Sequence, residues 1–504
     1  MSNLKIGWAE TSITPDKKIS LYGQFAERIS EYVEKPLTAT ALVIENGEDQ
    51  VIFCSCDLAE TTWNLVLAVR EKLKDNGLGL DPDKIILNAI HTHTGPSYPG
   101  KQRSEQDDGR KPFDHLRALL ESFLVPGQRY EEKANISNNP EIATEQEIWD
   151  LLMERLPAVI LEAWRNRRPG SFCNGFGRAV VGHCRRAAYS DGSAQMWGET
   201  NTAVFETVEG GNDSGVELLY LLDEAGELTG IVCNVACPAQ CVQHRMFVSP
   251  DFWGEVKLRL RKHFGEHIFL LPQCAAAGDQ CPVDLVRWVQ PESDLNDPNC
   301  TRSDPPRRKA DPSMFDLAGM YKVGKRLSNE IIEVWNEGLD APQTDAPLQH
   351  AVLEVQLPLR RATLTDVRNA RAAIKDYLQN KEGNVNYIDL ANLQVHLGVL
   401  RRFDLQEQVD AMDTELHIIR LGTVAFATSP FELFLDFGNQ IRARSLAEQT
   451  FTVQLANGSE GYLPTEKAEK GGHYSAFISS GQIGHVGGDL LVRHTLKQIN
   501  KMFP

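Results

Sequence analysis

Apolar residues recur along the chain at spacings that predict an ordered succession of strands and helices. The runs Ala41–Ile44 and Val51–Phe53 flank the turn-forming pair Asn46-Gly47 and predict a β-hairpin. Thr62–Asn76 carries Leu65, Val66, Val69 and Leu73 at helical spacing, and Ile85–Ile90 reads as a short buried strand, giving strand, helix, strand. Thr144–Arg165 opens with Thr144 and Glu147 in capping-box spacing. It places Ile148, Leu151, Leu152, Leu156 and Ile160 on one face, with Pro157 expected to kink the helix. Further helices are predicted near 251–263, 313–337, 363–379, 430–446 and 488–502. Strands are predicted at 216–222, 229–236, 267–271, 348–357, 415–428 and 451–455. The pattern is that of an α/β fold, a mixed β-sheet core with surrounding helices. No repeat or low-complexity linker breaks it, so 1–504 reads as a single catalytic domain. The Pro-, Asp-, Arg- and Gly-rich stretches at about 97–143 and 282–312 predict long loops.

Charge narrows the partners. The 504 residues include 52 Lys plus Arg against 69 Asp plus Glu, a net charge of 52 − 69 = −17, which excludes an electrostatic nucleic-acid binder. No stretch reaches about eighteen uncharged apolar residues, so no membrane span is expected. The opening MSNLKIGWAE lacks a basic n-region and an apolar h-region, which predicts a cytoplasmic location. Ten cysteines without such a signal read as reduced thiols, metal ligands or nucleophiles. A small-molecule substrate is the expected partner, and a homo-oligomer is compatible with the sequence.

Chemistry concentrates in a few segments. In Asn88-Ala89-Ile90-His91-Thr92-His93-Thr94-Gly95-Pro96, two histidines two positions apart leave the end of a strand. An extended backbone would turn both to one side, where one can bind a metal and the other act as a base. Ala277-Gly278-Asp279-Gln280-Cys281-Pro282 follows the apolar strand at 267–271. Ser429-Pro430-Phe431-Glu432 has the form of a capping box at a helix start. Tyr462 and Tyr474 lie twelve positions apart, each in a Gly-containing segment.

These segments, in this order, resemble the neutral/alkaline ceramidases, zinc-dependent amidases that cleave the N-acyl bond of ceramide. The resemblance implies a ceramidase-like catalytic domain holding Zn2+, about one ion per chain. It implies His91, Glu432 and Tyr462 as ligands, with Cys237 of Asn234-Val235-Ala236-Cys237-Pro238 standing where the family has a second histidine. His244 is the alternative fourth ligand, and Cys233, Cys237, Cys241 and His244 could instead form a separate metal site. His93 is implied as the catalytic base. Arg185 of His183-Cys184-Arg185-Arg186 and Tyr474 are implied as donors to the scissile carbonyl. Cys281 stands where the family has an active-site serine and is a candidate nucleophile, substrate contact or neutral replacement.

The sequence departs from that family in its cysteines, in its start, and in ending near Pro504 without the family's C-terminal β-domain. The implied function is a zinc-dependent hydrolase that cleaves an amide or acyl-type bond of a soluble polar substrate by metal-activated water. Arg110, Lys111, Arg287, Trp288 and Arg302 in the long loops favour a hydrophilic ligand. Two alternatives stay open: a metal-dependent enzyme acting on a carbohydrate or glycoside, and an inactive binding or scaffold homologue.

Overall fold

Two β-sheets packed face to face, with helices on both outer faces, position the candidate residues. The structure is a computed structural model and describes residues 4–24, 27–75, 77–104, 112–131, 139–287 and 315–503. Arg110, Lys111, Trp288 and Arg302 lie outside the described residues.

The larger sheet has eight strands: β1 (Lys5–Ser12), β2 (Thr38–Glu45), β3 (Gln50–Cys56), β4 (Ile85–Ala89), β5 (Arg168–Arg178), β6 (Gly215–Asp223), β7 (Leu228–Val235) and β8 (Phe269–Cys274). Their spatial order is β8-β7-β6-β5-β1-β2-β3-β4. The centre is antiparallel, and each edge ends in a parallel pair, β7 with β8 and β3 with β4. The smaller sheet is β9 (Leu348–Pro358), β10 (Ala411–Leu421), β11 (Val424–Thr428) and β12 (Gln449–Val453), with β11 and β12 parallel. The sheets are mixed, as the apolar pattern predicts.

Alternation along the strands dictates the layering. Leu42, Ile44, Val51, Phe53, Leu219 and Leu221 pack against Ile419, Leu421, Phe426 and Phe451 of the smaller sheet. Their neighbours Ala41, Val43, Ile52 and Cys54 turn the other way, onto α1 (Trp63–Leu73) and α3 (Glu145–Arg165). Leu218, Tyr220 and Ile231 face α4 (Phe252–Phe264) and α5 (Asp316–Glu337) in the same manner. Ile418, Ala425 and Ala427 face α8 (Leu435–Arg444) and α10 (His485–Met502). The order of layers is helices, sheet, sheet, helices.

Most predicted elements are present, including the 46–47 hairpin and the Thr144/Glu147 capping box. Three differ. The 415–428 strand is two antiparallel strands turning at Gly422, whose φ of +57° suits glycine. The long stretch 97–143 contains a helix, α2 (Pro112–Glu121). It packs on α6 (Leu364–Asn380) and the unpredicted α7 (Tyr387–Leu405) through Leu120, Ile374, Leu393 and Leu397; the short α9 (Glu466–Gly471) precedes α10. Finally, Glu432 is not on a helix: it lies in a two-residue strand, and α8 starts three residues later. No helix among the described residues is long and apolar enough to cross a membrane.

A buried ionic cluster ties α1 to the smaller sheet. Arg70 donates from Nη1 and Nη2 to the two Glu415 oxygens at 2.9 and 2.8 Å, and His417 Nε2 lies 2.8 Å from Glu415 Oε1. Burial alone would raise the Glu415 pKa, but the hydrogen bonds from His417 and Arg70 outweigh it and hold the carboxyl far below its usual range. A depressed carboxylate stabilises the fold above its unfolded pKa, about 4.3, and ceases to as pH falls toward the folded value. Glu415→Gln, which strands Arg70, is therefore expected to lose roughly 3–5 kcal/mol in urea unfolding at pH 7. The gap to wild type should narrow steadily below about pH 4; a gap independent of pH would contradict the assignment.

Candidate functional site

The candidate residues follow the C-terminal ends of the parallel strands. His91 comes two residues after β4, Cys237 two after β7, Asp279 and Cys281 after β8, Glu432 after β11 and Tyr462 after β12. β4 runs opposite to β7 and β8 in the larger sheet, yet these ends meet beside the segment after β12, where the Ala89 N–H donates to the Leu455 carbonyl at 3.2 Å and the Gln454 N–H to the Cys274 carbonyl at 3.0 Å. Because the two sheets stack, loops from both reach one locus.

His91 turns out of its strand with φ of +63°, uncommon for a side chain other than glycine. Its Nδ1 lies 2.6 Å from the Ala59 carbonyl, so that nitrogen carries the proton and donates it. Nε2 then points at Glu432 Oε2, 3.4 Å away. Burial alone would lower the His91 pKa; the Glu432 carboxylate and the Ala59 carbonyl outweigh it and raise it. Glu432 is fixed by backbone pairing in parallel register with Tyr462, so the two residues sit side by side on one rung of the ladder. Gly278 lies under this ladder, its N–H donating to the Leu433 carbonyl at 2.8 Å, and a Cβ there would overlap the Glu432 backbone.

Arg185 is 3% exposed and crosses the centre. Its Nη2 donates to the Gly278 carbonyl at 2.9 Å and to the Tyr462 hydroxyl at 3.3 Å, and lies 3.8 Å from Glu432 Oε2. Its Nη1 donates to Gln240 Oε1 at 3.1 Å, and Gln240 Nε2 is 3.0 Å from His93 Nε2. Gln240 thus links the guanidinium to the second histidine, whose ring centre is 5.0 Å from that of His91. Burial, with the charges of His91, Arg28 and Arg185, holds the His93 pKa well below its usual value. His93 is accordingly neutral near pH 7. Gly23 (φ +96°) lets the backbone lie flat on the His93 ring, where a Cβ would clash.

Tyr474 packs edge-on to Tyr462 with ring centres 5.4 Å apart. It is held by the neighbour of Arg185. Arg186, fully buried, pairs with Glu209 at 2.5 Å and donates to the Tyr474 carbonyl at 3.0 Å and the Gly472 carbonyl at 2.8 Å. His473 and Ser475, on either side, both have positive φ. Burial pushes both tyrosine hydroxyls up, Tyr462 the more strongly.

The expected set is not assembled as a whole. Among the described residues, no three His, Cys, Asp or Glu side chains gather closely enough to hold a metal. Cys237 does not join His91 and Glu432. It is fully buried, its thiol donates to the Val181 carbonyl at 3.3 Å, and burial pushes its pKa well up. His244 is also elsewhere, stacked on Phe315 and 3.3 Å from Asp316. The closed site of Cys233, Cys237, Cys241 and His244 is not formed either. Cys281 is buried and donates to the Val283 carbonyl at 3.2 Å. Ser429 caps no helix; its hydroxyl accepts from the Phe431 N–H.

Two donors at the centre, His91 and Glu432, stand at the spacing of metal ligands. The carbonyl behind His91 leaves its Nε2 lone pair facing Glu432, the usual way a protein orients a ligating imidazole. The 3.4 Å separation between Nε2 and Oε2 equals the edge of a tetrahedral site with bonds of about 2.1 Å. Tyr462 is next to Glu432 on the ladder.

The architecture matches solved structures along the whole chain. Neutral ceramidase from Pseudomonas aeruginosa aligns with a TM-score of 0.66 at 15% identity, over 99% of this chain and 75% of that one. The fold is ceramidase-like. A ceramidase complexed with C2 aligns with the same TM-score at 14% identity, over 100% of this chain and 76% of its own. No family model and no curated protein matches the sequence.

Sequence reasoning missed Gln240, whose amide belongs to no motif, and Arg28, whose guanidinium donates to the His93 carbonyl at 2.5 Å. An arginine reaching a carbonyl on another loop leaves no trace in local spacing.

Burial pushes the Cys281 thiol up to about 12, which leaves roughly one part in ten thousand as thiolate at pH 8. Native protein treated with iodoacetamide at pH 8 is expected to remain unmodified at Cys281 by peptide mass spectrometry, whereas urea-unfolded protein reacts. Rapid modification of the native form would show an activated thiol.

Proposed function

We propose that this protein is a metal-dependent hydrolase, with zinc as the preferred ion, that cleaves an amide or related acyl-type bond of a small soluble substrate. The observation that carries the reading is the convergence of His91, His93, Arg185, Glu432, Tyr462 and Tyr474 at one buried locus of a ceramidase-like fold. His91, Glu432 and Tyr462 would hold the ion, while the Cys237 thiol donates to the Val181 carbonyl. A bound zinc supplies Lewis acidity and lowers the pKa of a coordinated water toward neutrality.

The remaining steps belong to the chain. The Ala59 carbonyl keeps the His91 proton on Nδ1 and so keeps Nε2 free. His93, neutral near pH 7, accepts the proton of the attacking water at Nε2 once Gln240 yields that position, and returns it to the leaving group. The Arg185 guanidinium and the Tyr474 hydroxyl donate to the oxygen on which negative charge develops, the charged donor contributing more. Arg186 holds the Tyr474 loop through two carbonyls and keeps that hydroxyl aimed.

Metal content of protein purified without an affinity tag tests the reading. About one zinc per chain is expected in wild type and in Cys237→Ala, with loss in His91→Ala and Glu432→Gln. Stoichiometric metal in the last two variants would overturn the ligand assignment. Absence of uptake by wild type after zinc supplementation would overturn the metal-dependent reading. Arg185→Met is expected to lower kcat by roughly 10²–10³ with metal retained. The substrate class is read by screening N-acyl amino acids for amine release against glycosides for release of reducing sugar.

A further inference from the structure

Gln240 holds the two groups that the hydrolase reading sets to work. It is 1% exposed, on the loop after β7, and that loop is tied to the His91 segment where the Ala239 N–H donates to the Ile90 carbonyl at 3.3 Å. Arginine carries donors only, so the Gln240 atom 3.1 Å from Arg185 Nη1 is the carboxamide oxygen. The NH2 group then faces His93 and donates to Nε2 at 3.0 Å, which makes that nitrogen the acceptor. The Gln240 side chain makes no other hydrogen bond among the described residues.

The polarity of these contacts is that of a substrate. Where Arg185 donates to the acyl oxygen and His93 Nε2 serves the water and the leaving group, a scissile amide lies with its oxygen toward Arg185 and its nitrogen toward His93. The Gln240 carboxamide sets the same two kinds of atom on the same two partners. An ester or glycosidic oxygen in place of the nitrogen would set lone pair against lone pair at the neutral His93 Nε2, whereas an amide N–H reproduces the bond already there. Nε2 cannot take a proton while it accepts from Gln240, so the carboxamide has to leave before chemistry.

We propose that Gln240 is an internal stand-in for the scissile group. Its carboxamide occupies the amide position between Arg185 and His93, and the substrate is an amide bearing an N–H that takes this position as Gln240 swings out. The substrate class rests on the hydrolase reading; the amide position between the two side chains does not. The exchange conserves hydrogen bonds, since one C=O and one N–H leave as one of each arrives. It lowers the apparent affinity for substrate by the fraction of molecules in which Gln240 is out.

Two measurements on the full chain test the proposal. The atoms that Gln240→Ala removes are those of acetamide, and acetone is the isostere without the N–H. In calorimetric titrations acetamide is expected to bind Gln240→Ala roughly ten-fold tighter than it binds wild type, and roughly ten-fold tighter than acetone does. Acetone binding as tightly as acetamide would overturn the amide position, whether or not the protein is a hydrolase. In kinetics with an N-acyl compound that releases amine, Gln240→Ala and the volume-filling Gln240→Met are expected to lower KM and raise kcat/KM roughly ten-fold, because the internal competitor is gone. Gln240→Glu, whose carboxylate makes a charge-assisted bond to Arg185, should raise KM roughly ten-fold. A fall of kcat/KM in both Gln240→Ala and Gln240→Met, with the wild-type melting temperature kept, would reduce Gln240 to a structural link and overturn the stand-in role. Selective acetamide binding without turnover of any N-acyl compound by zinc-loaded wild type would sink the hydrolase reading and leave the amide position standing.

Discussion

The contact between the two sheets governs the rest of the structure. Phe426 lies against Phe53 of the larger sheet, ring centres 5.1 Å apart, and against Phe451 of the smaller at 4.4 Å. With the aliphatic residues around them, these rings fix how the sheets lie on each other. The parallel strands of both sheets then deliver their C-terminal loops to one place. His91 comes from the larger sheet and Glu432 from beyond the smaller, and they meet only because the layers between them are packed in one register. Burial at close packing makes this placement stiff, since a shift of one sheet would disturb every side chain at the interface.

Charge at the locus is arranged around the same convergence. Arg185 touches Gly278, Gln240, Tyr462 and the neighbourhood of Glu432, so one guanidinium joins loops that follow β7, β8, β11 and β12. Its neighbour Arg186 faces away and holds the 472–475 segment. Consecutive residues in an extended stretch point to opposite sides, which lets an arginine pair serve two sites. Burial around the histidines and tyrosines suppresses charge on His93, Tyr462 and Tyr474, whereas the Glu432 carboxylate raises the pKa of His91. The locus carries few net charges despite its density of polar groups.

Much of this was legible in the chain. The continuous apolar runs at 41–44 and 51–53, flanking Asn46-Gly47, state both the hairpin and the two-sided burial of its strands. The His91–Pro96 segment states the centre of the site. Other parts were not legible for definable reasons. Ser429-Pro430-Phe431-Glu432 satisfies the local rules of a helix start, but pairing with Tyr462–Leu463 claims its backbone, and a distant partner outweighs local propensity. Cys237 occupies the expected position in sequence, yet its thiol bonds to the Val181 carbonyl. The strand Arg168–Arg178 escaped because Gly170, Gly175 and Gly177 interrupt its apolar alternation. Tertiary packing allows those glycines: their missing side chains make room for Leu222, Tyr220 and Glu330.

The ladder that pairs Glu432 with Tyr462 also makes the spacing between them irrelevant. Their relative position is set by two rungs of backbone hydrogen bonding, and the intervening α8 and β12 form an excursion that leaves and returns to the same point. Phe451 anchors β12 in the contact between the sheets, so the interchangeable part of the excursion is the outer face of its helix. Its helix could be lengthened, or its outer surface recast, without moving the carboxylate relative to the phenol, and the fold could change its exterior there while keeping its chemistry in place.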